Sequence, residues 1–214
     1  MGVISTLNAT LDEFRESLVL NSVTYGVGDS DVPISKGPPH QAEYKSSWEL
    51  IPTKHLLSRK KYIVGENWSN FTLLSLTNRG IIARDMENPK GKFPTSFDTY
   101  QVVEKNDMVF CLFDVEETPR TIALSNLEGM ITGAYDVTEV NHDFVLPEYL
   151  ELYFLAMDSK KCLKPYYTGL RNVIRWDNFG QILIPIPPKS EQRQILDYVE
   201  GKIQFLNQLS DTAL

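Results

Sequence analysis

The feature that most constrains the fold lies at residues 184–201, IPIPPKSEQRQILDYVEG, where an apolar run broken by prolines changes abruptly into a polar sequence. Each proline removes a backbone N–H donor, so this run does not suit the centre of a sheet, and the Pro-Pro pair stops it. Ser190 suits the N-cap of a helix, and Glu191 lies favourably in a first turn. The segment therefore predicts an extended stretch that ends at Pro188 and a helix that begins at Ser190.

Regular apolar spacing marks both ends of the chain. After Ser190 the apolar residues recur at intervals of 3, 4 and 3, and from Leu7 to Leu18 the intervals are 4, 3 and 4. Such spacing places apolar side chains in one narrow stripe along a helix. An isolated helix of this size is marginal in water, so each stripe needs a helical partner, in the same chain or in another one. The candidate interface residues are Leu11, Phe14, Leu18, Leu196, Val199, Ile203 and Leu206.

Short apolar segments at roughly ten-residue spacing fill the chain between the two helices. The predicted strands are residues 61–65, 71–76, 81–84, 99–103, 107–113, 120–125 and 130–137, with a hairpin turn at 77–80 and a connector at 28–47. A further helix is predicted to begin at Pro147, because proline suits a first helical turn. The pattern predicts an α+β fold with a curved, mostly antiparallel sheet or a partial barrel.

The composition supports a folded core and gives no sign of catalysis. The chain is 42% hydrophobic and 23% charged, close to globular averages. No apolar run is long enough for a membrane helix, and the N-terminus does not read as a signal peptide. The sequence holds no glycine-rich nucleotide loop, nucleophile motif or zinc-ligand spacing. Cys111 and Cys162 suit the reduced thiols of a cytoplasmic protein. We therefore expect a protein that is not an enzyme, with no cofactor, no metal and no membrane.

Charge leaves nucleic-acid binding open. The net charge of −7 argues against nonspecific binding. The basic residues are nevertheless grouped, and an acidic protein can present a basic face. The basic groups are residues 58–61, 88–92, 158–164 and 169–176, whereas acidic residues concentrate at 11–16, 104–117 and 136–151. From charge alone, each basic group is better explained as a solvated loop than as a DNA contact. Asp107, Asp114, Glu116 and Glu117 are likewise better explained as a solvated acidic loop than as a metal site.

A set of motifs accompanies the proline-rich segment. The first motif consists of an aromatic residue, an apolar strand, a proline pair and an EQ pair that opens a helix. Its residues are Phe179, Ile182, Ile184, Pro185, Pro187, Pro188, Glu191, Gln192 and Ile195. The accompanying stretches are TGLRNVIRW (168–176), NDMVF (106–110) and SSWELIPTKHLL (46–57). Together they resemble the junction of a target recognition domain with a spacer helix in specificity subunits of type I restriction-modification enzymes. Asn106 stands where that family usually has glycine.

The N-terminal stretch LDEFRESLVLNSVTYG (11–26) resembles the distal half of the same spacer helix. The resemblance implies three segments: an N-terminal spacer helix at 1–27, a target recognition domain at 28–189 and a C-terminal spacer helix at 190–214. Joining Leu214 to Leu7 would rebuild one helix of roughly 40 residues and about 60 Å. In the family such helices pair antiparallel and fix the distance between two recognition domains, and hence the number of unspecified base pairs in the target.

The resemblance implies sequence-specific recognition of an interrupted DNA target, without catalysis by this chain. The implied partners are double-stranded DNA, methyltransferase and restriction subunits, and either a homodimer formed through the spacer helices or the missing arm of a two-domain subunit. The candidate DNA-binding residues are Arg59, Lys60, Lys61, Asn78, Arg79, Lys90, Lys92, Lys160, Lys161, Lys164, Tyr166, Arg171, Asn172 and Arg175. Trp176 and Phe179 are expected in the core. The alternatives are a non-DNA scaffold that assembles through its coiled coil and an accessory domain of a fused restriction enzyme.

Overall fold

The computed structural model describes residues 3–28, 31–85 and 96–212. The α-helices are α1 (Val3–Tyr25), α2 (Thr53–Leu56), α3 (Pro147–Ser159), α4 (Trp176–Phe179) and α5 (Lys189–Thr212). The strands are β1 (Ile34–Lys36), β2 (Glu43–Lys45), β3 (Glu49–Pro52), β4 (Leu57–Arg59), β5 (Leu74–Thr77), β6 (Gly80–Ala83), β7 (Gln101–Val103), β8 (Met108–Phe110), β9 (Ile122–Leu124), β10 (Gly129–Ile131), β11 (Asp136–Val140) and β12 (Leu183–Ile186). Long terminal helices around a strand-rich body confirm the predicted α+β class.

The strands form several small antiparallel sheets. One sheet has four strands in the order β4-β11-β8-β9, and the pairs β1-β2, β3-β12, β5-β6 and β7-β10 form two-stranded sheets. No closed barrel forms within the described part of the chain. Among the described residues, the proline-containing strand β12 pairs with β3 alone, so its prolines lie in a two-stranded sheet, where missing donors are tolerated.

Three local predictions are wrong and two are confirmed. The predicted strand at 130–137 is two strands, β10 and β11, separated by a turn in which the Tyr135 N–H donates to the Thr132 carbonyl oxygen. Residues 61–65 form no regular strand: Ile63 makes a single bridge to Gln101, and a 3₁₀ helix begins at Gly65 with φ +59. The supposed connector at 28–47 contains the pair β1-β2. The hairpin turn at 77–80 is confirmed, since Thr77 pairs with Gly80, and so is the helix that begins at Pro147.

The main core lies between α3, the four-stranded sheet and β12. Tyr149, Tyr153 and Phe154 of α3 are buried there. Phe110 packs edge-on against Phe154 and Phe179, with ring centroids 5.2 and 5.0 Å apart. Phe179 is fully buried, as expected. This core fixes α4 and the loop before it, which carries several of the candidate DNA-binding residues.

Helices α1 and α5 pack antiparallel within the chain. Arg15 Nη2 near the middle of α1 donates to Asn207 Oδ1 near the end of α5, at 2.9 Å. At the other end, Gly26 follows α1 with φ +79, and a Cβ placed there would lie 2.7 Å from Glu191 Oε1. Glycine is therefore required at position 26, both for the left-handed helix end and for the close approach of α5. The outer ends of the two helices thus lie at the same end of the molecule. No described helix is long and apolar enough to cross a membrane.

Candidate nucleic-acid interface

The motif residues Pro187, Pro188, Glu191 and Gln192, which we call the junction, bind other parts of the chain. Gln192 is fully buried. Its Nε2 donates to the carbonyl oxygens of Phe144 and Pro187 at 3.0 and 2.8 Å. Its Oε1 accepts from the Leu146 N–H at 2.8 Å. One side chain thereby connects the end of β12 and the start of α3 to the first turn of α5.

Glu191 makes a second set of connections. Its carboxylate accepts from Lys45 Nζ at 2.7 Å and from Trp48 Nε1 at 3.1 Å. Trp48 is buried and belongs to the 46–57 motif. The two motif stretches are therefore in direct contact, and both connect α5 to the strand-rich body.

The predicted N-cap is wrong. The helix α5 begins at Lys189, and the Pro188 carbonyl oxygen accepts the N–H groups of Glu191 and Gln192 at 2.8 and 3.0 Å. Proline suits this position because it has no N–H to satisfy and a fixed φ. Ser190 consequently lies inside the first turn, where it is exposed.

The hairpin at residues 168–173 is the most sharply defined loop of the basic segment. Thr168 and Val173 exchange two backbone hydrogen bonds, of 2.9 and 3.0 Å. The Arg171 carbonyl oxygen accepts from the Asp114 N–H at 2.8 Å, and the Ile174 N–H donates to the Leu112 carbonyl oxygen at 2.9 Å. The hairpin is therefore fixed along the segment that follows β8.

Arginine and aromatic side chains contact one another beside this hairpin. The Arg171 guanidinium lies over the Phe113 ring, 5.3 Å from its centroid, and Phe113 stacks on Tyr135 at 6.0 Å. Arg59 lies over Trp176 at 5.7 Å. Arg59 Nε also lies 2.5 Å from Oδ1 of Asp136, the residue after Tyr135, and so links the two groups. We call these side chains the arginine–aromatic strip: Arg59, Phe113, Tyr135, Arg171 and Trp176.

Carboxylates of the acidic segment 114–117 hold the neighbouring basic and amide groups. The contacts are Asp114 with Arg171 Nε at 2.9 Å, Glu116 with Lys164 Nζ at 3.0 Å, and Glu117 with Asn172 Nδ2 at 3.2 Å. The hydrogen bond from Arg171 holds the pKa of Asp114 below its ordinary value, and the same bond raises the pKa of Arg171. Both groups are therefore charged at neutral pH, and an incoming phosphate would compete with these carboxylates.

Two candidate lysines face into the protein. Lys60 Nζ contacts Glu104 and Asp107, the latter at 2.9 Å, and only 9% of its side chain is exposed. Burial alone would lower the pKa of Lys60, but the hydrogen bonds to the two carboxylates outweigh it and raise the pKa. Lys161 Nζ binds the Asp158 carboxylate at 2.7 Å and a backbone carbonyl at 2.6 Å. These internal ion pairs leave neither ammonium group directed at solvent.

The remaining candidates lie in several places. Lys160 pairs with Glu16 of α1 at 2.5 Å. Lys61, Asn78, Arg79 and Arg175 are exposed, and so are the ion-paired Arg59, Lys160, Lys164 and Arg171. Lys90 and Lys92 lie outside the described residues. The structure thus brings together Arg59, Lys164, Arg171, Asn172 and Arg175 around Trp176 and the acidic segment, whereas Asn78 and Arg79 lie at the β5-β6 turn.

A buried histidine network was not predicted from the sequence. His40 Nε2 lies 2.8 Å from Tyr153 Oη, and His40 Nδ1 lies 3.1 Å from Tyr166 Oη. Tyr153 donates to Gln41 Oε1 at 2.8 Å, so it accepts from His40 Nε2–H, and Tyr166 donates to Nδ1. Burial lowers the pKa of His40 to about 4, which keeps the imidazole neutral. Tyr166, a candidate DNA-binding residue, is thus connected to α3 through His40. The sequence did not show this contact because His40 and Tyr166 are 126 positions apart.

The predicted interface residues mostly face their own chain. Val199 and Leu206 are buried, and Leu11, Leu18, Leu196 and Ile203 are half-buried. Phe14, by contrast, is 53% exposed. It shares a shallow cavity with Tyr198, which shares another with Phe205. We call these three exposed side chains the helix-pair stripe: Phe14, Tyr198 and Phe205.

An α+β body carried on an antiparallel helix pair is the class of fold that these observations define. The particular fold is that of the specificity subunits of type I restriction-modification systems. The structure resembles an HsdS subunit from Thermoanaerobacter tengcongensis, with a TM-score of 0.58 and 14% identity over 99% of this chain. It resembles to the same degree a chain from a structure described as the basis of complex assembly and conformational transition of the type I R-M system, with a TM-score of 0.58 and 12% identity over 98%.

This chain spans about half the length of those two chains, 48% and 50% respectively. No family model and no curated protein matches the sequence.

Proposed function

We propose that this chain recognises a specific double-stranded DNA sequence as the specificity subunit, or half of one, of a type I restriction-modification system. The observation that carries the proposal is the arginine–aromatic strip beside the fixed 168–173 hairpin, on a chain with the specificity-subunit fold. Arginine suits guanine edges and phosphates, and asparagine suits adenine. The strip and the adjacent hairpin, which carries Asn172, concentrate these groups on one part of an otherwise acidic protein.

Two kinds of contact are proposed. Arg171 and Asn172 at the hairpin tip read base edges, because the hairpin presents them on a fixed backbone. Lys61 and Arg175 are exposed near the strip and hold phosphates. Lys60 and Lys161 act within the fold and stabilise the loops that carry these residues. The protein makes no covalent change to DNA in this proposal, and methylation and cleavage belong to partner subunits.

A second recognition domain is proposed at the outer end of the helix pair. Both α1 and α5 have their outer ends there, so a second copy of this chain, or the other half of a longer subunit, can continue each helix in line. Such a dimer reads two half-sites at a fixed separation. The helix-pair stripe is proposed as the surface for the methyltransferase subunit, and the restriction subunit is recruited through it.

Binding to a random-sequence duplex pool, measured by fluorescence anisotropy across salt concentrations, tests the DNA-binding role. We expect affinity to fall steeply with salt, since counterions are released from each neutralised phosphate. Arg175→Ala is expected to reduce the magnitude of the slope of log affinity against log salt by about 1, which corresponds to the loss of one phosphate contact. Arg193→Ala, an exposed arginine on α5, is the matched control and should leave the slope unchanged. Salt-independent binding, or no binding, would contradict the proposal.

The alternative is a non-DNA scaffold that assembles complexes through its helices. The net charge of −7 and the internal pairing of Lys60 and Lys161 favour it. Light scattering separates the forms of assembly: a mass of about 49 kDa, twice 24.4 kDa, indicates a dimer, and 24.4 kDa at all concentrations indicates one arm of a larger subunit. A dimer that binds no DNA at low salt would support the scaffold.

A further inference from the structure

Leu170 occupies the tip of the 168–173 hairpin with its side chain wholly in solvent. Its relative exposure is 104%, whereas the other exposed large apolar side chains of the described residues range from 37% to 66%. Single exposed leucines are ordinary on protein surfaces and by themselves need no explanation. This leucine differs because the backbone that carries it is held in place.

Several hydrogen bonds fix the tip. The Thr168–Val173 pair closes the hairpin, and Thr168 Oγ1 adds a bond of 2.9 Å to the Val173 carbonyl oxygen. Gly169 and Asn172 both have positive φ, +69 and +45, which turns the chain sharply around Leu170 and Arg171. A loop that is ordered before binding loses little further backbone entropy when it contacts a ligand. The tip is therefore suited to present side chains rather than to fold around a partner.

The tip presents three different chemistries in consecutive residues. Leu170 is apolar, Arg171 carries a guanidinium and Asn172 carries an amide. The major groove offers the matching groups: the thymine C5-methyl, the guanine O6 and N7 acceptors, and the adenine N6–H donor with the N7 acceptor. Because its two polar neighbours suit base edges, the leucine is placed to meet a base edge as well.

We propose that Leu170 contacts the C5-methyl group of a thymine in the major groove and so determines one position of the recognised sequence. The inference rests on the proposed DNA-binding function and adds a specificity-determining residue to it. An apolar wedge between stacked base pairs, the minor-groove alternative, would unstack the duplex and would not depend on a methyl group.

The test removes only the methyl group. A target duplex is first selected from a random library with the purified 214-residue chain, and each thymine is then replaced in turn by deoxyuridine. We expect one replacement to weaken binding by about fourfold, the effect of one buried methyl-sized group. The Leu170→Ala substitution should weaken binding to the thymine duplex by at least as much. The variant should also bind the thymine duplex and the duplex with deoxyuridine at that position equally well, as a double-mutant cycle requires if Leu170 contacts the methyl group.

Leu127→Ala is the matched control, because Leu127 is also an exposed loop leucine, at 37%. It should retain both the affinity and the thymine preference. Urea midpoints equal to that of the wild type establish that both variants fold.

Two results would overturn the inference alone: a thymine preference that persists in Leu170→Ala, or unchanged affinity in Leu170→Ala while Arg171→Ala weakens binding. If the wild-type chain selects no sequence and binds no duplex at low salt, both the proposed DNA-binding function and the inference about Leu170 are wrong.

Discussion

The junction and the 168–173 hairpin both belong to the motifs that resemble specificity subunits, but they differ in how their polar groups are used. At the junction, Gln192 and Glu191 make all their described hydrogen bonds within the chain, and Gln192 is fully buried. At the hairpin, Leu170 and Arg171 are exposed, and Arg171 has an ion partner that a ligand can replace. The junction therefore maintains the fold, whereas the hairpin carries the proposed contacts.

This difference has a physical reason. A buried amide with three hydrogen bonds admits few substitutes, because any other side chain leaves buried groups unpaired. An exposed loop is free to change its side chains with little effect on stability. Resemblance is thus easiest to see where a residue serves the architecture, and the function has to be argued from the loops that the architecture holds.

The largest expected effect is at the junction. Gln192→Ala should lower the free energy of unfolding by on the order of 4 kcal/mol, because a fully buried side chain is truncated and one buried and two part-buried backbone groups lose their partner. Gln194→Ala, an exposed glutamine in the same helix, is the matched control and should cost little. Urea denaturation measures both. A cost below about 1 kcal/mol for Gln192→Ala would mean that the junction does not hold the frame together.

The second expected effect tests whether His40 connects Tyr166 to Tyr153 of α3 as a neutral, buried imidazole. The pKa of His40 is about 4 when folded, against an ordinary value of 6.5. As pH falls below 6.5 the unfolded chain takes up a proton that the native imidazole refuses, so stability is complete above 6.5 and falls towards pH 4, by about 3 kcal/mol in total.

His40→Gln should remove this part of the pH dependence. The difference in unfolding free energy between the wild type and the variant should therefore shrink as the pH falls from 7 to 4. His142→Gln makes the same replacement at an exposed histidine and is the control. A constant difference for His40→Gln would show that the imidazole is accessible to protons, and the link from Tyr166 to α3 would be weaker than the hydrogen bonds indicate.

The third expected effect is on DNA affinity. Asp114→Asn removes the carboxylate that holds Arg171, so the guanidinium is released for DNA and affinity should rise about threefold, the scale of one exposed ion pair. The urea midpoint should not change measurably. Asp197→Asn, on the exposed face of α5, makes the same change in net charge and is the control. Equal gains in both variants would mean that net charge alone, and not release of Arg171, controls affinity.

The sequence predicted the α+β class, the helix at Pro147, the turn at 77–80 and the helices at both ends, because each depends on neighbouring residues. It did not predict the pairing of Lys60 with Asp107 or of His40 with Tyr153, because these partners are 47 and 113 positions apart. For the same reason, charge grouping alone did not separate the lysines that face inward from the exposed cations around Arg175.

The smallest expected effect separates the sequence-based and structural accounts of the junction. A serine N-cap replaced by alanine typically costs about 1 kcal/mol, because a helix N–H loses its acceptor. Ser190 lies in the first turn after Lys189, and the Pro188 carbonyl oxygen already accepts two N–H groups. Ser190→Ala should therefore change the unfolding free energy by less than about 0.5 kcal/mol. A loss near 1 kcal/mol would return the cap to Ser190, and the helix would then begin two residues later, at Glu191 instead of Lys189.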